Sequence, residues 1–486
     1  MFSFFDAFSW EPLLYSVIGA AAGIVWGALP GLSMTMGMAL LAPFSYGMDI
    51  YGACAFMMGV YTGASFGGTV SAVLMNIPGT PDSVPVQLAG YPLTKQGRGG
   101  EAMATAIVAA FLGNWIGILV LIALAPVLLA FALSFGAWEQ FLLALWGILI
   151  AGSISGEGHS PIKGWISGWL GLGIAMIGTE TIYGYQRLTF GQIELLGGIG
   201  FIPVLIGLFG VAEVMRVAAE EPGSNPRAVI GRIRPRFDLL RRYWRSALRS
   251  SGIGTFIGMI PGGGSPMANF LSYELGQRSS GKDFSKGSIE GVICCQTSDN
   301  AVIGGSLLPA MSLGIPSSAA IAVFMAALAY QGVVVGPAID LSRPGFLHFL
   351  YGTLIVANLA MYALAFAFIR PSMRFLAMPP ALLMPMVGVL CIVGSYALQL
   401  AVLDMYVALI AGVAGYVLYR WGFPLAPMVF AMILGKIADE NLRKAMIIFR
   451  GEPLSSILFR PLAGVIIVVI VGTLIYGLRK QRPSIV

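Results

Sequence analysis

Charge is what this sequence has least of. Only 10% of its 486 residues are Asp, Glu, Lys or Arg, against roughly 25% in a soluble domain. So few ionised groups cannot solvate a water-soluble fold of this length, which excludes a soluble enzyme, a nucleic-acid-binding protein and a disordered chain. Histidine is limited to His159 and His348, and the four cysteines, Cys54, Cys294, Cys295 and Cys391, form no CxxC pair. A zinc or haem centre is therefore not expected, and the cysteines read as small buried apolar residues. The start, Met1–Asp6, lacks the basic residues of a secretory signal, so the first apolar segment is expected to be retained as a span.

What fills the chain instead is apolar. It is 57% hydrophobic, with a mean hydropathy of +0.84. Long stretches carry no charge: Pro12–Met48, Ile50–Pro81, Ala102–Trp138, Asn300–Ile339, Phe375–Leu403 and Pro461–Leu478. A bilayer-spanning helix needs about 20 apolar residues, so each stretch holds one span or two. The expected fold is an all-α polytopic membrane protein with roughly ten to twelve transmembrane segments. Runs this long do not suit an outer-membrane barrel, whose strands alternate over about ten residues.

The few charges set the orientation. Arg216–Arg249 holds nine arginines and three acids, and a nucleic-acid patch is the lesser reading because a span lies on either side. Cytoplasmic loops collect Lys and Arg, so this loop and the tail Arg479–Arg482 are expected inside and the N-terminus outside. Lys436–Arg450 resists the scheme: it carries four bases and two acids, yet alternation puts it outside.

The arginine loop divides two similar halves. Pro30-Gly31 is answered by Pro261-Gly262, 231 residues on; Asn76-Ile-Pro-Gly-Thr80 by Gly314-Ile-Pro-Ser-Ser318; and Gly67-Gly68-Thr69 by Gly304-Gly305-Ser306. Charge bias reverses between them: Ala42–Ile50 has one acid and no base, whereas Gln277–Gly287 has three bases and one acid. Reversal is the mark of inverted-topology repeats. The expected organisation is a first repeat over 1–217, a basic cytoplasmic linker over 218–249, a second repeat over 250–450, and an extra C-terminal helix with basic tail over 451–486.

Proline and glycine inside a span break the helix, and the freed backbone groups need protein or a water-filled cavity to satisfy them. Discontinuous helices offer N–H groups to an anion and carbonyls to a cation; simple kinks are the plainer reading, which suits one break better than four paired ones. Four polar clusters flank the breaks. They supply the candidate carboxylate-binding residues: Ser33, Thr35, Asn76, Gly79, Thr80, Ser83, Gly262, Gly263, Ser265, Asn269, Asn300, Ser317 and Ser318. Thr80, Ser317 and Ser318 stand where helix N-cap hydroxyls stand. Acids within apolar stretches are functional candidates, so Asp82 and Asp299, with Thr297, are the candidate cation-coupling residues, a structural pairing with Arg or Lys being the other reading. Glu157, Lys163, Glu180 and Glu194 sit near span ends and read as interfacial.

At these residues the chain resembles the large membrane subunit of the tripartite tricarboxylate transporter family (TctA-like). The resemblance rests on Gly27–Leu32, Tyr61–Gly68, Asn76–Asp82, Gly90–Glu101, Gly258–Gly264 and Thr297–Asn300, and covers nearly the whole length. It implies a secondary transporter of the bacterial inner membrane for organic carboxylates, working with a small four-helix membrane subunit and a periplasmic solute-binding protein. It implies sodium or proton gradients as the drive, and the chain has no GxxxxGK[ST] loop for ATP. No other cofactor is implied. An elevator-type moving domain follows by analogy alone.

Two rival readings remain at this stage. Gly63-Ala-Ser65-Phe-Gly67 matches the G-x-S-x-G nucleophile elbow of an intramembrane serine protease, but that motif belongs between a strand and a helix, and neither histidine has reason to meet Ser65. Small residues there suit close helix packing instead. A channel or uniporter for small organic anions could also use paired broken helices.

Overall fold

The computed structural model describes residues 3–29, 32–77, 80–154, 161–219, 237–376, 380–450 and 460–479. The helices, in chain order, are α1 (Trp10–Ala28), α2 (Met34–Ser45), α3 (Ile50–Met75), α4 (Val84–Lys95), α5 (Gly99–Ala132), α6 (Ala137–Ile154), α7 (Pro161–Ala175), α8 (Phe201–Leu205), α9 (Ala212–Ala219), α10 (Phe237–Arg242), α11 (Trp244–Gly258), α12 (Gly264–Ser280), α13 (Ile289–Leu313), α14 (Ala319–Tyr330), α15 (Ile339–Ser342), α16 (Phe346–Leu376), α17 (Pro380–Gln399), α18 (Val402–Arg420), α19 (Ala426–Ile448) and α20 (Pro461–Arg479). A π-turn, Ile206–Val211, joins α8 to α9 in one run of 19 residues. The only sheet among the described residues pairs β1 (Gly178–Thr179) antiparallel with β2 (Gln186–Arg187).

Among the described residues, five helices are long and apolar enough to cross a bilayer, Trp10–Ala28, Gly99–Ala132, Phe201–Ala219, Phe346–Ile369 and Val402–Arg420, with five shorter apolar helices beside them. The protein is thus an all-α polytopic membrane protein. α3 and α13, of 26 and 25 residues, are as long, but every residue from Gly52 to Met75 and from Ile289 to Ser312 is buried. Enclosed by protein rather than lipid, they can carry Thr, Ser, Gln, Asp and Asn without exposing them to hydrocarbon.

Glycine sets the helix directions. A Cβ on Gly19, Gly23 or Gly27 would strike the backbone at Phe56, Val60 or Ala64. The matched increments make α1 parallel to α3, so α2 must return to the face where α1 began. In the same way Gly254 and Gly258 rest on Ser298 and Val302, making α11 parallel to α13 with α12 as its return limb. Gly113 and Gly117 place α5 parallel to α13 by contact with Thr297 and Ala301. Such backbone approach is the packing mode available where lipid removes the hydrophobic drive. α3 and α13 themselves run antiparallel, because Thr69 meets Gln296, Ser65 meets Asp299 and Tyr61 meets Ser306.

Two more segments double back. Beyond α3 the chain returns until Thr80 lies against Gly68, and α4 then runs outward, Thr94 Oγ1 donating to the Val73 carbonyl at 2.7 Å. Beyond α13, Ser317 Oγ reaches back to the Ser306 carbonyl at 3.1 Å, and α14 leaves to set Gln331 on the carbonyls of Ser45 and Met48. The α1–α2 and α13–α14 turns therefore enter from one face. The α3–α4 and α11–α12 turns enter from the other, where Gln96 donates to the Lys286 carbonyl. The sequence suggested helices broken in mid-crossing; the breaks instead reverse the chain. Gly262 (φ +80°) and Gly314 (φ +70°) occupy the left-handed region that such reversals need. Pro30-Gly31 and Pro78-Gly79 lie outside the described residues.

Lys436–Arg450 is no loop but mainly the end of α19. Arg187 binds Asp439 through both carboxylate oxygens at 3.1 and 2.8 Å, Arg443 lies 3.2 Å from Asp439 and 3.5 Å from Glu180, and Lys444 pairs with Glu440. Its side follows from geometry. α5 leaves the face bearing Lys286 and delivers α6 to the opposite one, where Glu139 pairs with Arg460, itself stacked on Phe449. The arginine-rich segment is on the other face, where Ser246 donates to Glu290 near the start of α13. Arg443 and Lys444, two of the segment's four bases, are thus held by neighbouring acids on the α19 face. The expected linker boundary at 249 falls inside α11, and residues 220–236 lie outside the described residues.

Candidate functional site

The re-entrant turns converge on the α3–α13 contact. Consecutive glycines make room: a Cβ on Gly67 would meet Gly27 and Ala28 at the end of α1, and one on Gly68 would meet Thr80. Across the bundle, Gly304 abuts Gly117 and Gly305 abuts Thr255, so the Gly-Gly pair serves both central helices alike.

At the centre are two buried carboxyls. Asp299 projects from the middle of α13, and its Oδ2 accepts from Ser65 Oγ at 3.1 Å. Its Oδ1 accepts from Asn269 Nδ2 at 3.0 Å, and the same nitrogen donates to the Asp82 carbonyl at 2.9 Å. The Asp82 and Asp299 carboxyls lie within hydrogen-bonding reach of each other, and the buried Thr80 hydroxyl beside them has no protein partner. One asparagine on α12 therefore ties the α3–α4 turn to α13. Gly262 N donates to the Ser317 carbonyl at 3.0 Å, joining the α11–α12 turn to the α13–α14 turn. Tyr61 shares a hydrogen bond of 3.0 Å with Ser306 and also reaches Ser318.

Hydrogen-bonding capacity is left over here. Asn269 Oδ1, Gln296 Oε1, Ser298 Oγ and Asn300 Oδ1 are buried with no protein partner. Buried polar atoms are almost always paired, so a group of oxygens with spare lone pairs can accept from a proton-bearing group or coordinate a cation. Two carboxylates in contact in a water-poor site also require a positive charge between them, whether a proton or a metal cation.

Other residues singled out from the sequence are placed differently. Ser318 caps α14, its Oγ accepting from Ile321 N at 3.2 Å. Ser317 does not cap; its hydroxyl is taken by the Ser306 carbonyl. Thr80 and Ser83 close their own turn, Ser83 Oγ donating to the Thr80 carbonyl at 2.7 Å. Asn76 ends α3 in the left-handed conformation (φ 59°) with its side chain exposed on Gln87. Ser33 caps α2 through Met36 N, and Thr35 follows it in the first turn; no described hydrogen bond ties either to the carboxyls. Thr297 turns its hydroxyl onto the Ile293 carbonyl at 2.8 Å. Ser265 is buried in the first turn of α12, Gly263 precedes it at the N-cap, and Gly79 lies outside the described residues.

Tyr61, Thr69, Gln296 and Ser306 join the cluster without having been singled out as site residues. Tyr61, Ser65 and Thr69 recur every four residues, one face of a helix, and that spacing was the available signal. Ser65 sits inside α3 with a carboxyl for its partner, not on a strand-to-helix elbow. His348 packs on the Tyr351 ring, and His159 lies outside the described residues.

A family model described as the tripartite tricarboxylate transporter TctA family matches residues 13–430. The chain is 31% identical over 482 residues to the uncharacterized 52.8 kDa protein in the TAR-I ttuC' 3' region of Agrobacterium vitis, covering 97% of this chain and 95% of that one. It is 30% identical over 237 residues to an uncharacterized protein in the TAR-II ttuC' 3' region of the same organism, covering 48% of this chain and 98% of that one. No solved structure matches. The match takes in all four re-entrant turns and both central helices, and the chain belongs to the tripartite tricarboxylate transporter TctA family.

Proposed function

We propose that this chain is the large membrane subunit of a secondary transporter that imports di- and tricarboxylates by cation symport across the bacterial inner membrane. A periplasmic solute-binding protein delivers the anion, and a small four-helix membrane subunit completes the assembly. The observation that carries this reading is the pair Asp82 and Asp299, on two different segments, with Asn269 joining the Asp82 main-chain carbonyl to the Asp299 carboxyl and Ser65 bonded to Asp299. The coupling cation, sodium or a proton, sits between the carboxyls, with Asn300 and Gln296 as neighbouring oxygen donors. The substrate carboxylates meet the N–H groups that start the short outward helices after Thr80–Ser83 and Ser317–Ser318, in the way anions meet helix N-termini.

Opposed directions of α3 and α13, each flanked by a re-entrant pair from its own starting face, support two inverted repeats over 1–217 and 250–450. Movement of the bundle that carries both central helices exposes the site to either side in turn.

The test is uptake of a labelled carboxylate panel by proteoliposomes containing the assembled subunits and a matching binding protein, with sodium and pH gradients imposed separately. Uptake of a di- or tricarboxylate that collapses when the cation gradient is removed is expected. Flux that ignores both gradients, following the anion gradient alone, would replace the symporter with a channel or uniporter.

A further inference from the structure

The excursion between α7 and the helix that begins at Phe201 plays no part in the site. It joins two apolar helices, so both its ends are fixed at the membrane surface, on the face opposite the arginine-rich segment. Two of its ionised groups, Glu180 and Arg187, are held by partners, while Glu194 is exposed. Glu180 accepts from the N–H groups of Ile182 and Tyr183 at 2.7 and 2.6 Å and meets Arg443; Arg187 holds Asp439 with two hydrogen bonds. Large apolar and aromatic residues face outward among a few polar ones, Thr181, Gln186, Gln192 and Glu194. Tyr183, Tyr185 and Leu188 are exposed, and Phe190 and Ile193 are each 81% exposed.

The backbone is arranged to keep them there. Leu188 (φ 51°) and Phe190 (φ 48°) both adopt the left-handed conformation, which bulky residues avoid, while Thr189 between them is buried. Two strained residues on either side of an inward threonine push two large apolar side chains out together. The ion pairs to α19 hold the excursion rigid enough to sustain that strain.

We propose that Tyr183, Tyr185, Leu188, Phe190 and Ile193 form an anchor seated in the interfacial zone of the outer leaflet. Rings with an apolar body and a polar tip favour the headgroup level, and Phe and Ile favour the acyl boundary beneath it. α7, which leads into the excursion, also exposes apolar residues at helical spacing, Ile162, Ile166, Trp169 and Leu170, as a lipid-facing helix does. Through Arg187–Asp439 and Arg443–Glu180 it fixes the outer end of α19, and with it α6 and α7, at a set depth. The occupant is lipid rather than a soluble partner because the most exposed large side chains, Phe190 and Ile193, are apolar, and the polar residues between them carry a single charge, Glu194, as a headgroup-level surface allows.

The experiment places a nitroxide on Phe190→Cys, and separately on Ile193→Cys, in the full chain in vesicles of phosphatidylethanolamine and phosphatidylglycerol. The native cysteines are buried, so labelling is selective. Collision with oxygen should exceed collision with a water-soluble nickel complex severalfold at both sites. Arg278→Cys, in an exposed polar position, should show the reverse. Asp439→Asn should move the Phe190→Cys label toward the aqueous pattern without changing the Arg278→Cys label. Nickel exposure at both anchor sites in vesicles would overturn the proposal. So would protection from both reagents that appears only when the soluble binding protein is added, which would make the segment a protein-docking surface.

Discussion

Asn269 holds more of the site together than either acid does. Its one amide nitrogen serves the Asp82 carbonyl and the Asp299 carboxyl, so Asn269→Ala removes both bonds and leaves a buried carboxyl short of a donor. Hydrogen bonds to charged groups are worth about 1.5–3 kcal/mol, and about 1.4 kcal/mol is tenfold in binding. A donor to an ionised carboxyl stabilises the site without its cation, so Asn269→Ala should lower the coupling-ion concentration for half-maximal uptake by about tenfold. Ser65→Ala, which takes one bond from Asp299 Oδ2, should act in the same direction and more weakly. Cation-titrated uptake in proteoliposomes checks both; unchanged ion dependence in Asn269→Ala would remove Asp299 from the coupling site. Thr80→Ala with Ser317→Ala should lower uptake at unchanged membrane expression, a second check on which turns touch the substrate. Asp82 and Asp299 were legible because an acid in an apolar stretch is conspicuous. Tyr61, Thr69 and Ser306 were not, since each looks like an ordinary residue of a buried helix until its partner on the antiparallel helix is known. Asn76 looked like a site residue by its place in a motif; its left-handed cap turns it outward instead.

Helices were legible as elements and their reversals were not. A Pro-Gly pair says that a helix stops, but the direction the chain then takes depends on which backbones can touch. That information lies in the glycines of α1, α5 and α11, whose partners are distant in sequence. Gly254→Ala puts a methyl group onto the Ser298 carbonyl. Overpacking of this kind costs about 1–3 kcal/mol, and a lower melting temperature in detergent is expected. Gly173→Ala, with nothing within 4 Å of the new methyl, should leave it unchanged or slightly higher. Equal effects would mean that the glycine contacts do not set the helix spacing. The outer hairpin answers to acid. Burial raises the Glu180 carboxyl, but the N–H groups of Tyr183 and Ile182 and the nearby Arg443 outweigh it and hold it below its ordinary value of 4.5. A carboxyl depressed on folding contributes stability above its unfolded value, and that contribution fades as pH falls through the folded one. A nitroxide at Ile193→Cys should keep its restricted mobility from neutral pH down to about 4.5 and gain mobility below it. Loss of restriction while Glu180 is still ionised would show that the clamp does not depend on it.

At the scale of the whole molecule, the few charges divide between two faces, and the bases on the α19 face, Arg187, Arg443, Lys444 and Arg460, each meet an acid there. Lys95, Arg98, Arg278, Lys282 and Lys286 gather on one face because α4 and α12 both end there, Gln96 touching the Lys286 carbonyl. Asp49 and Asp340 lie on the other, where Tyr46 stacks on Tyr330. By the positive-inside rule the basic face is the one expected to be cytoplasmic. The run Phe201–Ala219 has 19 residues. At 1.5 Å per residue it spans about 28 Å, close to the roughly 30 Å of bilayer hydrocarbon. It therefore places the outer hairpin and Arg216 on opposite sides. Gly47→Cys, in open space at the end of α2, should react with a membrane-impermeant maleimide in right-side-out vesicles. Arg278→Cys and Arg241→Cys should react only in inverted ones. Gly47 follows α2 and Arg278 lies in the last turn of α12, the corresponding return limbs, so their labelling from opposite sides tests the inversion of the halves directly. Labelling of both from the same side would mean that α3 and α13 do not cross in opposite directions. The site between Asp82 and Asp299 would then lose its access from two faces, and alternating access through it would fail as a mechanism.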